Sequence, residues 1–159
     1  MSELPIRKPT RHPEINYREN GSYFITICTQ DHKCVLARIV DVGEGLCALP
    51  QVILTKTGQY VEESIRYINQ TNHLSIDQYV IMPNHIHMII TLDFQDRIHE
   101  SIISIIGKFK SYTTHQYGKK LWQRSFYDHQ IRSERAYLAL IKYIQDNPVK
   151  WAVDKYNPS

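Results

Sequence analysis

The stretch Leu74-Ser-Ile-Asp-Gln-Tyr-Val-Ile-Met-Pro-Asn-His-Ile-His-Met-Ile-Ile-Thr-Leu92 decides how this chain is read. Leu74–Met82 and His85–Leu92 are strand-like, and Pro83-Asn84 between them has turn chemistry. Two strands with so short a connection predict an antiparallel hairpin. Side chains at i and i+2 of a strand share a face. His85 and His87 therefore project together, while Ile86, Met88 and Ile90 project the other way into a core. Two imidazoles side by side on a rigid strand can hold one divalent cation, with a third ligand supplied from elsewhere. The same pair also reads as two half-buried histidines with hydrogen-bond partners; the contrast between the two faces raises the metal reading.

Outward from this hairpin the periodicity places the other elements. Ser22–Thr29 reads as a strand, and Cys34–Val40 with Leu46–Leu54 as an earlier hairpin around residues 41–45. Val61, Ile65 and Ile68 recur at helical spacing between about Thr55 and Asn69, and Ile102, Ile105, Ile106 and Phe109 do so between about Glu100 and Thr113. Ser125–Ile131 predicts a last strand. Ser133 is a plausible N-cap, with Glu134 in the first turn of a closing helix whose stripe is Tyr137, Leu140, Ile141 and Ile144. Pro148 stops it, because the residue before a proline resists the α conformation. Without the early hairpin the order is βαββαβ plus a helix. That is an α+β, ferredoxin-like antiparallel sheet with helices on one face, carrying an inserted N-terminal hairpin and a C-terminal helix. Residues 1–20, punctuated by Pro5, Pro9 and Pro13, predict a basic extended arm, and residues 21–159 a single domain.

Composition bounds the function. In 159 residues, 42% apolar and 22% charged content excludes a disordered tail, a fibre or a coiled coil. A net charge of +3 is too small to prove a polyanionic partner. Cys28, Cys34 and Cys47 are odd in number and form no CxxC pair, so a disulfide framework is not expected and a reducing cytoplasm fits. No apolar leader and no run of 18 apolar residues is present, so no membrane association is expected.

The closing helix reads Leu140-Ile-Lys-Tyr-Ile-Gln-Asp-Asn-Pro-Val-Lys-Trp151. Tyr143 and Asn147 are four apart and lie one above the other, at the edge of the apolar stripe. They read either as a core tyrosine and a helix-terminal asparagine, or as a reactive phenol with a metal-ligating amide oxygen one turn below.

Four stretches together carry a family resemblance. They are Gly21-Ser-Tyr-Phe-Ile-Thr-Ile-Cys-Thr29, Tyr79-Val-Ile-Met-Pro-Asn-His-Ile-His87, Trp122-Gln-Arg-Ser-Phe-Tyr-Asp-His129 with Ile131-Arg132, and Tyr143-Ile-Gln-Asp-Asn-Pro-Val-Lys-Trp151. In order, over nearly the whole chain, they resemble the REP-associated tyrosine transposases, a branch of the HUH single-tyrosine transposases. Arg7-Lys-Pro-Thr-Arg-His12 is similar to that branch's basic opening. The resemblance implies that His85 and His87 are the HUH pair, that Tyr143 on a catalytic C-terminal helix is the nucleophile, and that Asn147 is the third metal ligand. It implies cleavage and rejoining of single-stranded DNA at hairpin-flanked sites through a 5′-phosphotyrosine intermediate.

The chemistry agrees with that assignment. A neutral tyrosine is a weak nucleophile and a phosphodiester repels it, so a divalent cation is needed at the phosphate. A mixed nitrogen and oxygen set suits weakly bound Mg²⁺ or Mn²⁺ rather than tight structural zinc. For single-stranded or hairpin DNA the candidate contacts are Lys108, Lys110, Arg124 and Arg132, within a segment of net charge +5 from Ser101 to Arg132, and Arg7, Lys8 and Arg11 in the arm. The interleaved Trp122 and Phe126 read as core. Monomer and homodimer both remain open. The alternatives are a domesticated hairpin-binding protein without mobilising activity and a small zinc hydrolase.

Overall fold

Strand β1 (Gly21–Cys28) runs through the interior of a four-stranded antiparallel sheet, with β5 (His85–Leu92) on one side and β6 (Tyr127–Ile131) on the other. β4 (Leu74–Ile81) forms the outer edge beside β5, so the order is β4-β5-β1-β6. Before it come β2 (Ala37–Val42) and β3 (Leu49–Leu54), a separate two-stranded hairpin, and α1 (Lys56–Asn69). α2 (Ile102–Tyr117) precedes β6 and α3 (Glu134–Asp146) follows it. This computed structural model describes residues 20–43, 49–70, 74–93 and 100–158. The expected arm, with Arg7, Lys8 and Arg11, lies outside the described residues, as does Cys47.

The βαββαβ order and the ferredoxin-like sheet are those expected from periodicity. Tyr23, Ile25 and Ile27 of β1 and Ile86, Met88, Ile90 and Leu92 of β5 are buried together against Val61 and Ile65 of α1 and Ile102, Ile106 and Phe109 of α2. Each such side chain contributes roughly 1.5–3 kcal/mol on burial. α1 and α2 share this face. α3 lies across the opposite one, the face of His87. β5 is consequently buried along both sides, with His85, His87, Ile89 and Thr91 on one face and Ile86, Met88, Ile90 and Leu92 on the other.

Local signals set the helix ends. Thr55 caps α1, its hydroxyl accepting from the Gly58 amide at 3.1 Å, and Gly58 lets the helix meet the backbone of Leu36, where any Cβ would collide with a carbonyl. Ser101 and Ser133 cap α2 and α3 in the same way. α2 runs on to Tyr117 and closes on Gly118 at φ +83°. The segment after α2 is anchored by Trp122, whose Nε1 donates to Thr113 Oγ1 at 2.8 Å; Trp122 and Phe126 are core, as expected.

Two strand starts differ from the sequence reading. β2 begins at Ala37 rather than Cys34, and β6 at Tyr127 rather than Ser125. In the apolar stripe of α3 only Ile144 is buried, because that helix rests on polar groups instead of a second hydrophobic core. Asn147 keeps helical angles (φ −55°, ψ −46°) although it precedes Pro148, and its side chain is held by the preceding turn. Asp77, at an irregularity in β4, accepts the hydroxyl of Tyr137 at 2.8 Å and ties α3 to the sheet edge.

Candidate active site

The two histidines sit at the start of β5, just after the tight turn that Met82 N–H and His85 C=O close at 2.8 Å. Both are almost wholly buried, and their rings meet edge to face at 4.7 Å. Antiparallel register places Thr26 of β1 opposite His87, and Thr26 Oγ1 hydrogen-bonds His87 Nδ1 at 2.7 Å. Asn84, fully buried in the turn, donates through Nδ2 to the carbonyls of His32 (3.2 Å) and Tyr156 (2.6 Å). With its amide protons committed, its Oδ1 accepts from His85 Nδ1 at 2.9 Å. Each histidine is thus held through Nδ1, which leaves Nε2 as the outward-facing nitrogen.

Asn147 is oriented by the same logic. Its Nδ2 donates to the Tyr143 carbonyl at 2.7 Å, which leaves Oδ1 as the unpaired pole of a buried amide. Among the described residues, four buried side-chain atoms have no hydrogen-bond partner: His85 Nε2, His87 Nε2, Asn147 Oδ1 and Asp128 Oδ2. Leaving a buried acceptor unpaired costs about 1–3 kcal/mol, so orphans concentrated in one place mark a site built for something else. Three of the four belong to the three residues expected as metal ligands. Burial pushes His85 down to about 4, against the opposing pull of the Asp154 carboxylate and the Asn147 amide, and pushes His87 down to about 3, helped by the neighbouring His85. Both rings are neutral at pH 7, the state a metal ligand requires. The donor set of two imidazoles and one amide oxygen fits a divalent cation. Among the described residues no three His, Cys, Asp or Glu side chains form a metal-binding group by themselves, so the amide is an essential part of this set.

Tyr143 stands beside this set. Its ring lies 5.3 Å from that of His87 and 6.0 Å from that of Phe24, which itself stacks on His87 at 5.3 Å. The residue is 38% exposed and lines an open cleft of about 720 Å³ with Phe24, Thr26, His87, Tyr127 and Tyr156. The Tyr143 ring is thus open to solvent and lies next to two buried nitrogen donors. A second cavity of about 580 Å³ between α1 and α2, on the other face, is lined mainly by apolar and aromatic side chains.

The chain after α3 supplies residues that sequence reasoning missed. A 3₁₀ turn, Trp151–Val153, brings Asp154, Lys155 and Tyr156 back over the histidines. The Tyr156 ring is 4.5 Å from that of His85 and stacks on His32 at 5.9 Å. Burial, with Cys28 beside it, raises the Tyr156 phenol well above its usual range, and burial pushes the Cys28 thiol up to about 11. Asp31 and His32 are consecutive non-glycine residues at φ +56° and +51°. Such strain is tolerated where surrounding bonds over-determine it, here Thr29 Oγ1 to the Lys33 carbonyl and Asn84 Nδ2 to the His32 carbonyl. Asn84 was legible only as a turn residue. Thr26 required the register, and the tail required the tertiary fold.

The expected DNA contacts are dispersed. Lys108 pairs with Glu100 at 2.5 Å and faces the α1–α2 cavity. Lys110 Nζ donates to the Gln123 carbonyl at 2.6 Å and the Arg124 carbonyl at 3.2 Å, holding the loop before β6. Neither lines the cleft of Tyr143. Arg124 and Arg132 are exposed on the segments flanking β6, Arg132 bonded to Gln130 at 3.4 Å.

Residues 50–147 match the family described as Transposase IS200 like. The chain is 33% identical to the REP-associated tyrosine transposase of Escherichia coli over 84% of its own length and 70% of that protein. It is 32% identical to an uncharacterized protein of Haemophilus influenzae, over 94% of its own length and 92% of the relative. Among solved structures it resembles a REP-associated tyrosine transposase bound to a REP hairpin, with a TM-score of 0.65 and 25% identity, over 88% of this chain and 73% of that one. No helix among the described residues is long and apolar enough to cross a membrane.

Proposed function

Because the chain belongs to the IS200-like transposases, in their REP-associated tyrosine branch, it has a transposase-like role in DNA processing, and we propose that it cleaves and rejoins single-stranded DNA beside hairpins through a covalent link to Tyr143. The observation that carries this reading is the convergence of three orphaned buried atoms, on His85, His87 and Asn147, next to an accessible phenol. The hairpin preference follows from the similar protein whose structure holds a REP hairpin.

In this reading His85, His87 and Asn147 hold Mg²⁺ or Mn²⁺. When bound, the cation polarises the scissile phosphate and offsets the charge that develops on the leaving oxygen. Phe24 and His87 wedge the Tyr143 ring at the cleft, so that the phenol is positioned before substrate arrives. Tyr143 Oη forms a bond to phosphorus, and the bond from phosphorus to the 3′ oxygen breaks. The phenolic proton passes to solvent, and the 3′ oxygen takes one up. The phosphotyrosine ester conserves the bond energy, so a 3′-OH can attack it and rejoin strands without ATP. Thr26 and Asn84 keep the two imidazoles turned to the cation throughout.

The test uses purified protein, a 5′- and 3′-labelled hairpin with a single-stranded flank, and Mn²⁺. A covalent adduct that survives SDS is expected from the wild type, and none from Tyr143→Phe. An adduct of undiminished yield from Tyr143→Phe, or normal cleavage by His85→Ala, defeats the assignment. A hairpin-binding protein without strand transfer binds the same DNA and yields no adduct from the wild type.

A further inference from the structure

We infer that the Tyr127 ring is a stacking platform for an unpaired base of the strand that enters the Tyr143 cleft, an inference that rests on the reading above that this cleft receives single-stranded DNA. Tyr127 opens β6, the edge strand beyond β1. In the ladder Thr26 stands opposite His87 on one side and opposite Tyr127 on the other. Directly opposed residues of antiparallel strands share a face. His87, Thr26 and Tyr127 therefore form one row on the α3 face. Strand spacing puts the backbone of Tyr127 about 10 Å from that of His87. The Tyr127 side chain lines the same cleft as Tyr143, yet the residue is 63% exposed.

The walls of the cleft favour bases over phosphates as the groups to be held. Phe24, Tyr127, Tyr143 and Tyr156 all turn aromatic rings to it. Among the described residues that line it, Lys155 is the only lysine or arginine, and Asp128 offsets that charge. Lys108 and Lys110 are engaged elsewhere, by Glu100 and by the Gln123 carbonyl. A strand in this cleft thus meets little phosphate-neutralising charge and several rings. Every base has a π-face, so an aromatic platform accepts any base without reading its hydrogen-bonding edge. The other three rings are already committed. Phe24 stacks on His87, Tyr156 packs on His85 and His32, and Tyr143 is the proposed nucleophile. Tyr127 stands at the rim with most of its surface open, on a paired strand that holds it in place before DNA arrives. Its distance from His87 along the row places the stacked base beside the scissile phosphate rather than at it.

The experiment measures binding of the full chain, in EDTA so that no strand is cut, to a labelled hairpin with a single-stranded flank. A series of the same DNA carries an abasic nucleotide at each flank position in turn, and a blunt hairpin without the flank is the control. Wild type is compared with Tyr127→Ala, Tyr127→Phe and Tyr127→Trp. Expected is a loss of about 5–100-fold for Tyr127→Ala on the intact flank, near-wild-type binding by the Phe and Trp variants, and no loss on the blunt hairpin. At one flank position the abasic nucleotide weakens the wild type by a similar factor and weakens Tyr127→Ala no further. Unchanged binding by Tyr127→Ala overturns the platform. So does an equal loss in Tyr127→Phe, a loss that extends to the blunt hairpin, or abasic and alanine effects that add at every position. Adduct formation with Mn²⁺, run in parallel on the wild type, separates this role from strand cleavage. An adduct beside unchanged flank binding by Tyr127→Ala defeats the platform alone. No adduct beside a Tyr127-dependent flank affinity defeats the cleavage reading and leaves the platform standing.

Discussion

The side-chain amide of Asn147 donates to the backbone carbonyl of Tyr143 at 2.7 Å, which joins the proposed nucleophile and a proposed ligand within one helical turn. The bond uses the tyrosine backbone, not its ring. Substitutions at the two positions therefore separate their roles. Tyr143→Phe keeps the amide in place and removes only the phenolic oxygen. It is expected to reduce adduct formation by at least about a thousandfold while retaining Mn²⁺ affinity. Asn147→Leu, of similar volume, is expected to lower both. Metal titration beside SDS gels distinguishes the two patterns.

Thr26 sits opposite His87 in the ladder and shares a 2.7 Å hydrogen bond with its Nδ1. Outer partners of this kind hold a ligand's ring orientation. Thr26→Val keeps the strand and its shape. We expect Mn²⁺ affinity to fall by about 10–100-fold, with a loss of stability of about 1–3 kcal/mol from the unpaired nitrogen. Calorimetric titration and urea unfolding measure the two effects separately.

Protonation gives a stability signature for the apo protein. Burial lowers His85 to about 4 and His87 to about 3, from 6.5. Between pH 6.5 and about 4 the unfolded chain takes up protons that the folded chain refuses. The favourable contribution is fully present above pH 6.5 and is lost as pH falls through that window, at up to about 1.4 kcal/mol per pH unit for each ring. Urea midpoints at pH 7, 6 and 5 should fall accordingly, and a His85→Gln, His87→Gln double variant should show a flatter profile. An identical pH dependence in that variant rules the histidines out as the cause.

Lys110 was a candidate phosphate contact, yet its Nζ is engaged by the carbonyls of Gln123 and Arg124. Lys110→Met is expected to cost about 1–3 kcal/mol of stability, because charge-assisted bonds to the carbonyls of the loop before β6 are lost. The salt dependence of hairpin binding should barely change. A drop of about one in the slope of log K against log salt would instead restore a phosphate role.

Much of this architecture was legible from local pattern. Period-two alternation on His85–Leu92 gave the two faces of β5, the 3.6-residue stripes gave α1 and α2, and Ser133 marked the start of α3. The pairing of His85 with His87, and of Tyr143 with Asn147, needs only the pitch of a strand and of a helix. Electrostatic roles were less legible: the lysines of α2 look alike in a sequence, but one meets Glu100 and another meets carbonyls of the next loop.

By itself, then, the sequence determined the element order and the pairing of His85 with His87 and of Tyr143 with Asn147, because these depend on the chain's neighbours within a turn or a few residues, while the roles of those residues came from the family resemblance. Tertiary structure alone decided that Thr26 supports His87 across 61 residues, that Asn84 holds the tail at Tyr156 across 72, and that Asp154 stands 3.9 Å from His85. The reason is physical: register and the return of a chain end are settled by the packing of the whole sheet and by where buried polar groups find partners, and no local periodicity encodes either.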